Sequence, residues 1–488
     1  MNQKSTANSA TRKLTAADRP TSPTAELLRS RPIVALLAVA LLIRGVAMWE
    51  ARHAHLVLDE QLYAIRADAL LDGRGFLGSY QSWVRHPESP YMAMLPQYPG
   101  AYQPPAYVVF LAAVMGVTGR SILAVKAAQV LLSTFTVLIV YAIGRSWFDR
   151  RRGLIAAWIC ALYPNLIAFS HYLWTETFFI FLLLLSVWVL TRAKRVPGLR
   201  SFLVAGVILG LAALTRSSVL YFAPVLMVWL VVTYRAQWRP ALAGAIAMAV
   251  MMAVTILPWT IRNYRLYNAV VLIDTNGPFN LWRGNDPTTF SLRQDPAAPK
   301  YAPPFERIPM NPVGLQNALE LSFLARERFD VAYPTDLQMM QCARDLAWDC
   351  IRVDFVGFLG RAGLKMWDMW NPTSFLIRHL RLGAYGPVSP IVEGVITWAA
   401  GITYLLVMIL GVIGWSRRWW DARAWLVLLL LLFHCAIYAA AFGLTRFRLP
   451  LMPFIILFAA NGLALFLPPR GAHHDEITAE TAPTPTEP

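Results

Sequence analysis

The sequence predicts an all-α polytopic membrane protein with about ten transmembrane helices, external juxtamembrane helices and a small, mixed but mainly helical external segment. Three observations carry this prediction. Of 488 residues, 57% are hydrophobic and 15% charged, with a mean hydropathy of +0.46, whereas soluble domains carry about 25% charged residues. The net charge of +16 resides in short Lys and Arg runs between apolar stretches, a pattern of membrane topology that excludes a nucleic-acid footprint. Aromatic residues make up 12%, including 18 Trp, which suit the membrane–water boundary.

In chain order, residues 1–32 are polar and basic and read as a disordered cytoplasmic tail. Ile33 to Trp49 forms a first span, interrupted only by Arg44; it has no small-residue cleavage site and is read as retained. If that span runs outward, residues 50–120 form one external loop. Its apolar run Pro104 to Thr118 is short of the ~20 residues needed to cross, and the basic loop after the next span requires it to return to the outer side as a juxtamembrane or re-entrant helix. The span Ser121 to Ile143 then delivers Arg145, Arg150, Arg151 and Arg152 to the cytoplasm. The spans Leu154 to Ser170, Glu176 to Leu190, Phe202 to Thr215, Val219 to Thr233 and Ala241 to Trp259 alternate as this requires. They complete a transmembrane module over residues 33–259.

Residues 260–386 are predicted to form an external, periplasmic segment. It begins with short β-type runs and an Asn-Gly turn signal, passes through a Pro-rich stretch, and continues from Leu315 to Trp370 as amphipathic helices broken at Pro334 and near Asp354. Three spans close the chain over residues 387–467: Val388 to Trp415, Trp425 to Phe442 and Leu449 to Leu467. Residues 468–488 are a second cytoplasmic tail. Of the four cysteines, Cys160 and Cys435 lie in apolar runs. Cys342 and Cys350 lie about 12 Å apart on one helix, beyond disulfide reach, and are predicted free.

The candidate chemistry starts just past the first span. Asp59 and Glu60 are adjacent carboxylates, and Tyr63 and Arg66 follow Asp59 at i+4 and i+7, one face of a helix. A poorly hydrated carboxylate has a raised pKa and a nearby Arg lowers it again, so the pair is a candidate base; a charged helix start is the plainer reading. Other polar groups enter the apolar spans at the same end: Tyr163-Pro164-Asn165, His171, Glu176, Thr215-Arg216, Arg446 and Arg448. Each arginine alone reads as a snorkelling side chain, but together with Asp59 they suggest a cationic site for a lipid phosphate. His53, His55, His86 and Glu88 lack the spacing of a closed zinc site.

The D-E-x-x-Y pattern with A-x-x-L-x-x-G over Asp59 to Gly73 resembles the first external loop of the glycosyltransferase C superfamily. The nearest branch resembles bacterial relatives of the dolichyl-phosphate-mannose protein mannosyltransferases, with the lipid A aminoarabinose transferases. Pro104-Pro105-x-Tyr107, Tyr163-Pro164, Thr175-Glu176, Thr215-Arg216, the run Pro258 to Asn285 and R-x-R-L-P-x-x-P from Arg446 extend the match. The resemblance implies an inner-membrane glycosyltransferase with both termini cytoplasmic and an active site facing the periplasm. It would move a hexose or pentose from a polyprenyl-phosphate donor to a glycan, lipid or protein hydroxyl, with inversion. Asp59 would be the base, with Glu60 beside it. Donor contacts would come from Tyr63, Arg66, Gln103, His171, Glu176, Arg216, Arg446 and Arg448. Some relatives carry a phosphate-holding Lys at the position of Gln103, which moves that role toward Arg216, Arg446 or Arg448. No cofactor is firmly implied and no metal ligand is assigned, though a divalent metal is compatible with the pattern. A transporter or flippase of a lipid-linked sugar is the alternative; it would place charges near the membrane midplane, whereas this chain gathers them at one interface.

Overall fold

The computed structural model describes residues 30–57, 59–78, 99–192, 196–286, 312–331 and 334–468. The Pro-rich stretch and both tails lie outside them. The first span is α1 (Arg31–Glu50), opened by Pro32, whose fixed φ and missing N–H suit a helix start. The segment between the first two spans contributes α2 (Asp59–Leu71) and α3 (Pro105–Val117), which pack on each other. Gly73, at φ +74°, takes the left-handed conformation that turns the chain away after α2.

The transmembrane module continues with α4 (Ile122–Trp147), α5 (Arg150–Leu162), the short α6 (Pro164–Phe169), α7 (Thr175–Thr191), α8 (Leu199–Ala213), α9 (Ser218–Thr233) and α10 (Trp238–Tyr267). Side chains just outside the helices cap their first turns: Ser121 Oγ accepts from Ala124 N at 3.2 Å, and Asp149 Oδ1 from Arg152 N at 2.8 Å. The segment predicted to be external supplies α11 (Asn276–Arg283), α12 (Pro312–Phe329), α13 (Asp336–Val353), α14 (Phe355–Trp370) and α15 (Phe375–Arg381). The chain closes with α16 (Pro390–Ser416), α17 (Ala422–Ala440), a 3₁₀ turn (Thr445–Leu451) and α18 (Met452–Leu463).

Each predicted span falls on a helix. Six stretches are long and apolar enough to cross a membrane: Arg31–Glu50, Ile122–Trp147, Arg235–Tyr267, Pro390–Ser416, Ala422–Ala440 and Thr445–Leu463. The helices α7, α8 and α9 are apolar but shorter, and the run from residue 154 to 170 is two helices, broken at Tyr163-Pro164. Helix pairs α8 with α10 and α16 with α18 lie close, since lipid offers no hydrophobic drive and dispersion contacts need near backbones. At Gly414 an added Cβ would run into the backbone of Phe458 and Gly462 on α18.

The break before Pro164 explains the buried charge of α1. Proline offers no N–H to the carbonyl four residues back, so the end of α5 presents unpaired acceptors inside the bundle. The fully buried guanidinium of Arg44 fills that gap. It donates to Ala161 O at 2.9 Å, Cys160 O at 3.2 Å and Ser133 Oγ at 2.8 Å. Arg44→Met strands these carbonyls at about 1 to 3 kcal/mol each and is expected to lower the melting temperature of the detergent-solubilised protein. An unchanged melting temperature would show that another group satisfies them.

One expectation for the external segment is corrected. Residues 268–275 do not form β structure, and Asn276-Gly277 opens helix α11 instead of a hairpin; among the described residues no strand occurs. The sequence AVVLI is irregular, and α10 side chains occupy its carbonyls. Trp259 Nε1 donates to Ile273 O at 2.6 Å, and Asn263 Nδ2 to Val271 O and Ile273 O at 3.1 and 3.2 Å. Asp274 Oδ1 accepts from Asn276 N at 3.1 Å and turns the chain into α11. The breaks predicted at Pro334 and Asp354 coincide with the starts of α13 and α14, where Thr335 and Gln338 make a capping box. Cys160, Cys342, Cys350 and Cys435 are all free.

Candidate active site

Asp59 is the first residue of α2, and its position is fixed by its neighbour. Glu60 is 4% exposed; its Oε2 accepts from Val57 N and its Oε1 from Leu173 N, both at 2.9 Å. One carboxylate therefore ties the start of α2 to the turn between α6 and α7, and the other is left facing the site. One turn along α2, Tyr63 meets Tyr107 of α3 edge to face at 5.0 Å. Arg66, a turn further, donates to the side-chain carbonyl of Gln103 and lies over the Tyr102 ring at 5.5 Å.

Asp59 is met from the far end of the chain. Arg446, in the 3₁₀ turn before α18, donates from Nη1 to Asp59 Oδ2 at 2.8 Å across 387 residues of sequence. Its guanidinium lies over Trp174 at 4.4 Å and Phe447 at 5.0 Å, aromatic faces that favour a cation. Burial pushes the Asp59 carboxyl up, but Arg446, aided by the charges of Arg378 and Arg283, outweighs it and holds the group below the ordinary carboxylate range. At neutral pH Asp59 is thus an anion among cations, 29% exposed and open to a ligand.

The other predicted residues take different places. Arg216 donates from Nη2 to Glu176 Oε1 at 2.5 Å and from Nε to Thr175 Oγ1 at 3.0 Å, a buried pair in which Glu176 is 1% exposed. Arg448 is held by the carbonyls of Met369, Asn371 and Thr373, with Tyr404 stacked on it at 3.9 Å, and it braces the turn between α14 and α15. His171 is buried with Nε2 at 2.8 Å from the Tyr385 hydroxyl. The exposed His53 and His55 stand near the end of α1, while His86 and Glu88 lie outside the described residues. Among the described residues no three His, Cys, Asp or Glu side chains converge as metal ligands.

Sequence reasoning missed Arg283 and Arg378. Arg283 ends α11 with its guanidinium over Phe442 at 5.2 Å, and Arg378 sits on α15 over Phe375 at 5.3 Å. Arg283 fills an unspecified position of the L-W-x-G-N run, and Arg378 belongs to a helix too short to announce itself by periodicity. Also missed was the brace behind Arg446: Lys365 Nζ donates to Asn285 Oδ1 at 2.9 Å and to Ala440 O at 3.0 Å, and Asn285 Nδ2 donates to Ala440 O at 2.8 Å.

The chain as a whole is similar in fold to archaeal oligosaccharyltransferase AglB from Archaeoglobus fulgidus, in complex with an inhibitory peptide and a dolichol-phosphate, with a TM-score of 0.50 at 13% identity, covering 93% of this chain and 52% of that one. The apo form of the Archaeoglobus fulgidus enzyme gives the same figures. The two chains share a fold. Residues 102–259 match the family model for dolichyl-phosphate-mannose-protein mannosyltransferase. A curated relative, undecaprenyl phosphate-alpha-4-amino-4-deoxy-L-arabinose arabinosyl transferase of Pseudomonas aeruginosa, is 27% identical over 217 residues. The alignment takes in 43% of this chain and 37% of the relative, well under two thirds of its length. Gln103, Tyr107, His171, Glu176 and Arg216 fall inside the family match; Asp59, Arg283, Arg378 and Arg446 fall outside it.

The Glu60 environment makes a testable statement about pH. Burial pushes Glu60 up to about 7 against the pull of its two backbone donors and Lys126, while nearby Asp59 adds to the rise. His379, stacked on Tyr172 at 3.9 Å with Nε2 3.8 Å from Glu60 Oε2, is pushed down to about 3 by burial and by the charge of Arg378. Both are neutral in mild acid, with Glu60 holding the proton. A carboxyl whose folded pKa exceeds its unfolded value of about 4.3 costs stability as pH rises between the two values, because the unfolded chain then binds fewer protons. The melting temperature is expected to fall from pH 5 to pH 8. Glu60→Gln should flatten the slope, and an unchanged slope in that variant would assign it to another group.

Proposed function

We propose that this chain is a membrane glycosyltransferase that moves a sugar from a polyprenyl-phosphate carrier to a hydroxyl of a glycan, lipid or protein on the extracytoplasmic side, with inversion. The observation that carries the reading is the Asp59–Arg446 pair over Trp174, faced by Arg283 and Arg378. A carboxylate that can take a proton stands beside cations that can hold a phosphate, which is what displacement at an anomeric carbon needs. The family match and the arabinosyl transferase relative support a polyprenyl-phosphate donor.

In this reading the acceptor hydroxyl gives its proton to Asp59 and its oxygen attacks the anomeric carbon, while the lipid phosphate departs with the bonding electrons toward Arg446 and Arg283. Three arginines were candidates for the phosphate. Arg216 is engaged by Glu176 and Thr175, and Arg448 by three carbonyls, so the role falls to Arg446. Gln103 is no cation, but Arg66 brings a guanidinium to it from α2, which supports a positive charge there as well. The basic loops support cytoplasmic termini and a periplasmic site. The reading is tested by incubating purified protein with membrane lipids carrying labelled polyprenyl-phosphate sugars. Release of polyprenyl phosphate with transfer of label is expected, and no donor consumption with any acceptor fraction would sink it.

A further inference from the structure

Four arginines of the structure, Arg44, Arg216, Arg446 and Arg448, are held very differently. Arg44 and Arg448 each make several bonds to backbone carbonyls, and Arg216 is fixed by a carboxylate and a hydroxyl. Arg446 keeps one ion pair, through Nη1 to Asp59. Its Nε is buried without a hydrogen-bond partner, above a small cavity lined by Tyr163, Asn165, Phe169, Thr445 and Met452, where the Thr445 hydroxyl also has none. The aromatic rings beneath the guanidinium hold it by its face and fix no direction in its plane. The bond that immobilises Arg446 is therefore the one that also quenches Asp59.

We infer that Asp59 and the phosphate of the lipid carrier compete for Arg446, so that Asp59 becomes an effective base only when a donor occupies the site. The inference rests on the lipid-phosphate reading above. A phosphate offers the guanidinium two oxygens and a fork geometry, whereas Asp59 takes a single bond from it. As Arg446 turns to the phosphate, Asp59 loses the cation that holds its proton affinity down. The acceptor proton then passes to Asp59, the acceptor oxygen bonds to the anomeric carbon, and the bond from that carbon to the phosphate oxygen breaks with its electrons remaining on phosphate. When Asp59 returns its proton to water, the carboxylate draws Arg446 back and loosens the spent carrier. The order is built in: donor first, then acceptor activation.

The competition has a signature opposite to that of an ordinary site residue. Asp59→Asn, in full-length protein in nanodiscs, should bind undecaprenyl phosphate about five- to tenfold more tightly than wild type, the size of a typical coupling between two ligands. Arg446→Gln should bind it more weakly, and in Asp59→Asn/Arg446→Gln the gain should vanish. Melting curves on the same samples confirm that each variant is folded, and Arg446→Lys stands in if the Gln variant is not. If wild type binds the lipid phosphate and Asp59→Asn binds it equally or less well, the competition is overturned while the functional reading survives. If no variant binds it at all, both fall together.

Discussion

Asp59→Asn is expected to lower sugar transfer by about 10² to 10⁴-fold, the usual contribution of a positioned general base, with the fold intact. Asp59 is 29% exposed and makes one ion pair, so removing its charge leaves the helix start to Glu60, which keeps both of its backbone donors. The assay is transfer from a labelled polyprenyl-phosphate sugar, with melting temperature as control. A folded variant that transfers at the wild-type rate would remove Asp59 from the chemistry. The acid limb of the wild-type profile carries the same information. Because the Asp59 carboxyl is held below the ordinary carboxylate range, the free enzyme should keep its base ionised through mild acid and lose kcat/KM only below it.

The second large effect is structural. Glu176 stands in the first turn of α7, where the helix dipole favours an anion, and it meets Arg216 from the turn between α8 and α9. Both are buried, with side-chain exposures of 1% and 12%. Removing one partner leaves an uncompensated charge, so Glu176→Gln or Arg216→Met should each cost about 3 to 5 kcal/mol. The double variant Glu176→Gln/Arg216→Met should recover part of that loss, because no stranded charge remains. Strict additivity in the double variant would show that the two groups do not act as a pair.

How far the sequence discloses this molecule depends on the range of the signal. The helices of the apolar runs were readable because apolar length acts locally, and Pro104 to Thr118 falls on a helix of thirteen residues, Pro105–Val117. The AVVLI stretch reads as a strand because its β-branched residues fit one, while the carbonyl partners that deny it one, Trp259 and Asn263, belong to the preceding helix. At the site, Asp59 and Arg446 each announced themselves as polar groups at a span boundary, but their pairing joins opposite ends of the chain. Which arginine remains available could not be read from type or sidedness. Arg448 looks like Arg446 in sequence, two residues away, and only the turn at residues 369–373 distinguishes them by taking up its donors.

The brace formed by Lys365, Asn285 and the Ala440 carbonyl bears on modular engineering of such proteins. In the proposed reading, residues 260–386 are the segment an engineer would exchange between relatives as a cassette for redirecting acceptor choice. Yet two of that cassette's own side chains grip the end of α17, from which the 3₁₀ turn bearing Arg446 departs. Gly284 and Gly443 press the same backbones together so closely that neither tolerates a Cβ. A chimera joined at those borders without Lys365 and Asn285 would displace the arginine that faces Asp59 and lose turnover for every acceptor alike. A graft that keeps Asn285, Lys365 and the intervening seam can vary the remainder of the cassette and alter selectivity separately from rate.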